Sequence, residues 1–416
     1  MLNKLGKYSF GIGDRFAHQG VYQLKPFQAA KKFGTDITPV WNKSHREHIT
    51  VGSKPESVKE EAEQAIKKCG WEQGYMIDAD HINLQNVDGF LASSDFFTID
   101  VAYGIGQPCG ENKIQQFIEF NKPYIGGFSV PGSDKIFNLN KNMLREFAGQ
   151  FLTAIYEAQR IYQYILEKKG EGNFVAEISM DEVDKAQSPV ELFLVCSGLA
   201  MLGVRPVTIA PKFTGRFNKG VDYEGDLNIF AKEFEENLLV IKYATEIFDL
   251  PKGLKLSVHT GSDKFSLYPV INQLIKKHNI GLHLKTAGTT WLEEVIGLAE
   301  AGGSALELVK GIYVEALNRF DELTGPYSTV LNIDKKQLPE KDTVEKWDSE
   351  KFVNSLRHIP DHPDYNPGFR QLIHTAYKVA AERGELFTGA LEAHSAVIGK
   401  NVSENILERH IKPLFL

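Results

Sequence analysis

Cysteine is scarce: Cys69, Cys109 and Cys196 are the three in 416 residues, widely separated and without a CxxC pair. An odd, scattered set argues against a disulfide framework and suits a reducing compartment. Long apolar runs are missing too. The longest, Leu192 to Leu202, is too short to span a bilayer and is broken by Ser197 and Gly198. Positive charge is not in excess: 47 Lys and Arg stand against 54 Asp and Glu, a formal net charge of −7 with no electrostatic footprint for nucleic acid. The opening residues MLNKLGKYSF lack the apolar stretch of a secretory signal. The expectation is a cytoplasmic protein with no nucleic-acid or membrane partner; the sequence leaves oligomeric state open. No repeat or low-complexity tract stands out, and 42% hydrophobic with 24% charged residues is an ordinary globular composition.

What the chain does have is alternation. Short apolar runs are followed by longer amphipathic ones, the pattern of βα units. Strands are expected at 8–13, 36–41, 74–79, 96–101, 174–180, 206–211, 254–260 and 281–286. Eight such strands predict an α/β fold, a (β/α)8 TIM-type barrel. Residues 141–169 read as a long amphipathic helix ending at Gly170, and 226–249 as another closed by Pro251. After about residue 290 the pattern is mostly helical, interrupted by an irregular Pro-rich stretch at 357–368. The expected organisation is one catalytic barrel domain over 1–416, with 290–416 a helical extension packed on it.

Alternate residues of a barrel strand point inward, and catalytic groups sit at the C-terminal strand ends. With Ala176, Ile178 and Met180 facing helices, Glu177, Ser179 and Asp181 point in. By the same alternation Lys255, Ser257 and His259, then His283 and Lys285, then Asp78 and Asp80 point in, and His81 begins a loop. Barrel interiors are normally filled by branched apolar side chains, so four strands with inward charged or imidazole groups are not explained by packing alone. Glu177 has a plain structural alternative, a buried acid paired with Lys255 or Lys285. His259 and His283 are equally readable as hydrogen-bonded core histidines or, with Asp80-His81 on the same rim, as metal ligands. The pair His45/His48 lacks HExxH spacing and reads as a solvated turn. Gly11-Ile12-Gly13 is a lone GxG, weak evidence for a dinucleotide, and no GxxxxGK[ST] occurs. The loops 260–265 (TGSDKF) and 286–290 (TAGTT) suit an anion held after the last two strands, with Lys264 adding charge. Plain N-capping by Ser262, Asp263 or Thr289 is the alternative.

The blocks GIGDRF (11–16), DADHI (78–82), FFTID (96–100), EISMDE (177–182), KFTGRFNKGVDYEGD (212–226), HTGSDKFSLYP (259–269), HLKTAGT (283–289) and RQLIHTAY (370–377) resemble the tagaturonate epimerase family, in order and over most of the chain. The resemblance implies a barrel and a divalent metal. It implies a carboxylate proton acceptor beside a metal-binding histidine, matching Asp80 and His81, a carboxylate proton donor matching Glu177, and a further metal histidine matching His259. Inward geometry selects His283 to complete the set, with Asp226 as runner-up. The Ala210-Pro211-Lys212 loop and the valine after Asp181-Glu182 depart from the family pattern, which bears on substrate preference.

The family's substrates, tagaturonate and fructuronate, are 2-keto hexuronates differing at C4. The C4 hydrogen is not α to the C2 ketone, so simple enolisation does not remove it. The expected route is retro-aldol: a base takes the C4 hydroxyl proton, C3–C4 breaks, the aldehyde turns its other face and the bond re-forms. That chemistry wants a Lewis acid at the C2 oxygen and two proton-moving carboxylates, Asp80 and Glu177. Imidazole ligands do not discriminate among Zn, Mn, Fe, Co and Ni. Arg15, Lys264 and Lys285 are the expected substrate-binding residues. The competing readings are a metal-dependent aldolase, a ketose isomerase or 4-epimerase on a related sugar, and a non-catalytic sugar-acid-binding protein. The last has no need of the Asp80/Glu177 pair.

Overall fold

The computed structural model describes all residues except 1–4, 182, 184 and 287. Glu182 and Ala287, which fall in two of the quoted blocks, therefore lie outside the described residues, as do the first four of the opening stretch. The strands are β1 (Tyr8–Gly13), β2 (Ile37–Ser44), β3 (Met76–Ile82), β4 (Phe96–Asp100), β5 (Gly126–Ser129), β6 (Ile136–Leu139), β7 (Val175–Ser179), β8 (Thr208–Ala210), β9 (Lys255–His259) and β10 (Leu282–Thr286). Eight of them form a closed parallel barrel in the order β1-β2-β3-β4-β7-β8-β9-β10 and back to β1. This is the expected α/β barrel, and each expected strand is present. β8 is cut to three residues because Pro206 and Pro211 bracket it, and proline cannot donate to a ladder.

The antiparallel β5–β6 pair is an addition between β4 and β7 that the sequence pattern did not suggest. Its strands have four residues each and open on Gly126-Gly127, which reads as turn. The long helix Lys141–Lys169 follows, capped by the Asn140 side chain accepting from Met143 N–H and stopped at Gly170. Ala176, Ile178 and Met180 join the apolar layer between barrel and helices, as alternation requires. After β10 the described residues form helices and turns, with an irregular stretch between the helices Ser349–Leu356 and Pro367–Thr375.

The C-terminal helices are tied to the barrel loops by one buried guanidinium. Arg370, fully buried, bonds Asp263 Oδ2 at 2.6 Å, the Gly220 carbonyl at 2.5 Å and the Leu356 carbonyl at 2.7 Å. Against the upward push of burial, Arg370, His358 and His410 hold the Asp263 carboxyl well below the usual carboxylate range. Among the described residues, no helix is long and apolar enough to cross a membrane.

Candidate active site

The barrel interior is charged at its upper, C-terminal end. Lys285, on β10, reaches across to Asp78 Oδ2 at 2.7 Å, Asp80 Oδ1 at 2.5 Å and Thr98 Oγ1 at 2.6 Å, with Glu177 Oε1 at 3.8 Å. Gly11 makes this reach possible: a Cβ there would stand 3.2 Å from Lys285 Cγ and 2.8 Å from Asn42 Nδ2. The lone GxG is thus room for a crossing side chain. Burial alone would lower the Lys285 pKa, but Asp78, Asp80 and Glu177 raise it above its ordinary value. Asp78 is pushed up to about 6 by burial, which its lysine partner only partly offsets.

Above this layer two carboxylate–imidazole pairs face one another. Asp80 Oδ1 lies 2.5 Å from His81 Nδ1, and Glu177 Oε1 lies 2.7 Å from His259 Nε2. The rings are 5.6 Å apart. His81 should point outward by strict alternation, since Asp80 points in. A register irregularity between Ala79 and Ile82, together with a left-handed φ of 53° at His81, turns it into the mouth. A positive φ at a residue other than glycine costs about 1–3 kcal/mol and concentrates at functional sites. Against burial, Asp80 pushes His81 up to about 9, and Asp181 with Glu177 pushes His259 up to about 10. The same partners hold Asp80, Glu177 and Asp181 below the usual carboxylate range despite their burial.

His81, Asp181 and His259 bring one ligand atom each within 4.8 Å of one another, the arrangement of a metal-binding group. Its chemistry fits a divalent cation in two respects. Among the described residues His259 Nδ1 is buried without a hydrogen bond, in ion-pair contact with Asp181 Oδ1 at 3.2 Å. Asp78, Asp80 and Glu177 share the ammonium of Lys285 and Asp181 adds a fourth carboxylate beside His259, so imidazolium charge or a cation must balance the rest. Asp80 and Glu177 occupy the opposite ring nitrogens, the position from which a carboxylate orients a metal-binding histidine.

His283 lies outside this group. Its Nδ1 bonds Ser9 Oγ at 2.9 Å, its ring packs 5.3 Å from that of Phe96, and burial lowers it to about 3, so it is a neutral floor histidine. In register it faces Ser257, two residues below His259, and two residues of strand are about 6.6 Å. Asp181, read as inward but given no role from the sequence, is the third member of the group. Asp226 lies outside the group too: exposed, it caps the helix Leu227–Ile247 by accepting from Asn228 and Ile229 N–H.

Lys264 does not meet the expectation of a substrate-binding cation. It is fully buried, with Nζ 2.9 Å from the Asn218 carbonyl, 2.8 Å from that of Val221 and 3.3 Å from that of Asp263, and burial lowers it to about 7. It braces the loop after β8. Lys285 is engaged by the carboxylates described above. Arg15 remains at the rim, bonded to Glu47 Oε1 at 2.9 Å. HREH is not a solvated turn but the start of the helix His45–Val51, with a Ser44/Glu47 capping box and His48 buried against Ser53 Oγ.

Inward acids, imidazoles and an ammonium at the C-terminal strand ends define a barrel enzyme equipped to move protons. A family model described as tagaturonate epimerase matches residues 2–412. A curated tagaturonate/fructuronate epimerase from Thermotoga maritima is 30% identical over 421 residues, covering 97% of this chain and 80% of its own. Among solved structures, a two-glycerol complex of the fructuronate-tagaturonate epimerase of Cohnella laeviribosi superposes with a TM-score of 0.82 at 24% identity, covering 100% of this chain and 83% of that one. Its one-glycerol complex gives 0.79 at 23% identity, covering 98% and 83%. The chain belongs to the tagaturonate epimerase family and is an isomerase-class enzyme, an epimerase.

Proposed function

We propose that this enzyme interconverts D-tagaturonate and D-fructuronate by reversible cleavage of C3–C4. The observation that carries the reading is the convergence of two carboxylate–imidazole pairs on one point of the barrel mouth. Inverting C4 by this route needs a proton taken from the C4 hydroxyl and returned after the aldehyde has turned.

Asp80 is the group for the first step. Its Oδ1 is shared by the His81 ring and Lys285, the lysine charge favours the ionised form that accepts a proton, and Oδ2 takes no hydrogen bond among the described residues. Glu177, ionised in the resting site, acts as proton donor only after taking up a proton itself; its Oε1 is on His259, its Oε2 on Thr208 at 2.7 Å, and it has no exposed surface. It serves substrate only when the His259 ring gives up that contact. His81 through Nε2, His259 through Nδ1 and Asp181 would hold a divalent ion. Bound there, the ion supplies Lewis acidity toward the ketone end of the substrate.

The experiment is incubation of the purified protein with D-tagaturonate, with products followed by NMR. Fructuronate at equilibrium with tagaturonate supports the reading. Accumulation of a free three-carbon fragment reassigns the enzyme as an aldolase, and no conversion contradicts the proposal.

A further inference from the structure

The barrel mouth is divided in charge. Asp80, Glu177 and Asp181 stand over β3 and β7, on one side. The loops after β8, β9, β10, β1 and β2 carry a second polar assembly that the proton chemistry does not use. Arg15, just past β1, is buried, and its guanidinium carbon sits 4.0 Å from the centre of the Tyr377 ring. The Tyr377 hydroxyl is 3.1 Å from that of Tyr327. Over the Tyr327 ring lie Lys219 Nζ at 5.2 Å and the Arg46 guanidinium at 4.9 Å. Two tyrosines from the C-terminal part of the chain thus form a platform flanked by three cations.

The loops close around the same place. Gly288, with φ of 89°, leads into the helix Thr289–Ala301. A Cβ there would run into His374 Nε2 and stand 3.1 Å from Arg15 Nη2. Gly261, with φ of 66°, brings the loop after β9 against Lys219, whose Cγ is 3.9 Å from the Cβ position. His374 is buried, and its Nε2 has no hydrogen-bond partner among the described residues. Burial first, and then the charges of Arg15, Lys219 and Arg370, hold its pKa well below the imidazole range. The ring is neutral in a field of positive charge.

We propose that this half of the mouth is the carboxylate subsite, where Lys219 and Arg15 bind the acid end of the sugar while its ketone end faces His81, Asp181 and His259. The subsite rests on the reading that the ligand is a keto-hexuronate, and it makes discrimination between a sugar acid and a neutral sugar the work of Lys219 and of residues far along the chain. Of the cations the sequence offered for this role, Lys264 donates to backbone carbonyls and Lys285 pairs with the carboxylates of the other half, whereas Arg15 stands at the platform with Glu47 as its partner at 2.9 Å.

The test is calorimetric titration of the full chain with D-galactonate and with galactitol, which differ by carboxylate against hydroxymethyl and do not react. The expected result is tighter binding of galactonate by the unmodified protein. Lys219→Met should cut that preference about tenfold or more, because a hydrogen bond to a charged group contributes roughly 1.5–3 kcal/mol. Lys219→Arg should keep most of it. An unchanged preference in Lys219→Met, or none in the unmodified protein, overturns the subsite. A galactonate preference that behaves as expected in a protein that does not convert tagaturonate counts against the reaction and leaves the subsite standing.

Discussion

The floor and the mouth of the barrel are built from the same strands yet obey opposite rules. At the floor, Val40, Met76, Phe96 and Val175 form a small apolar plug packed by Leu5 and Val207. At the mouth, β3 and β7 themselves carry Asp80 and Glu177, and β9 and β10 carry His259 and Lys285, each partnered by an opposite charge. A few residues along a strand separate a layer that stabilises the barrel from one that spends stability on chemistry. Substitutions at the two ends should therefore separate folding from turnover.

The largest effect is expected at the mouth. Asp80→Asn and Glu177→Gln keep shape but not proton transfer, so each should lower kcat by about 10²–10⁴-fold while the melting temperature stays within a few degrees. Near-normal turnover in Glu177→Gln would leave it the orienting partner of His259 only. The complementary change is Phe96→Ala at the floor, which should cost about 3–5 kcal/mol in denaturant unfolding while the folded fraction keeps its turnover. A loss of turnover per folded molecule would break the separation.

The histidines sharpen the same contrast. After dialysis, His259→Ala and Asp181→Asn should lose most bound divalent metal, and His283→Asn should retain it, as measured by elemental analysis. Metal loss in His283→Asn alone would return that residue to the ligand set.

The smallest effect is expected from Lys255, a floor lysine that burial lowers to about 7 and that donates to the Gly6 and Lys7 carbonyls. Between pH 7 and its ordinary 10.5 the unfolded chain binds a proton that the folded chain does not, so its contribution makes stability rise with pH in that window. Lys255→Met should remove a slope of up to about 1.4 kcal/mol per pH unit, measured by unfolding at pH 7.5 and 9.

Direction was legible in the sequence and depth was not. Period-2 alternation placed Glu177, Lys285, His259, Asp78 and Asp80 inside the barrel, because only one strand face meets the interior. It could not tell His283, level with Ser257, from His259, level with Lys285. That takes strand register, a property of pairing between distant segments. Asp181 was on the right face without a role for the same reason. Lys264 misled because a loop lysine is normally solvated, and only the folded loops reveal the three carbonyls that bury it. HREH misled through the missing i,i+4 pair, although Ser44 and Glu47 were a readable capping box. The β5–β6 hairpin, with four-residue strands, is too short for periodicity to register.

The central claim is that C4 is inverted by breaking C3–C4 between the carboxylate–imidazole pairs of the mouth. Its most direct test is D-tagaturonate deuterated at C4, turned over many times in ordinary water and analysed by NMR. In bond cleavage the C4 hydrogen becomes the aldehyde hydrogen and never leaves carbon, so both ketoses should keep the label. Steady loss of deuterium to solvent would show proton exchange at C4 itself and contradict the account.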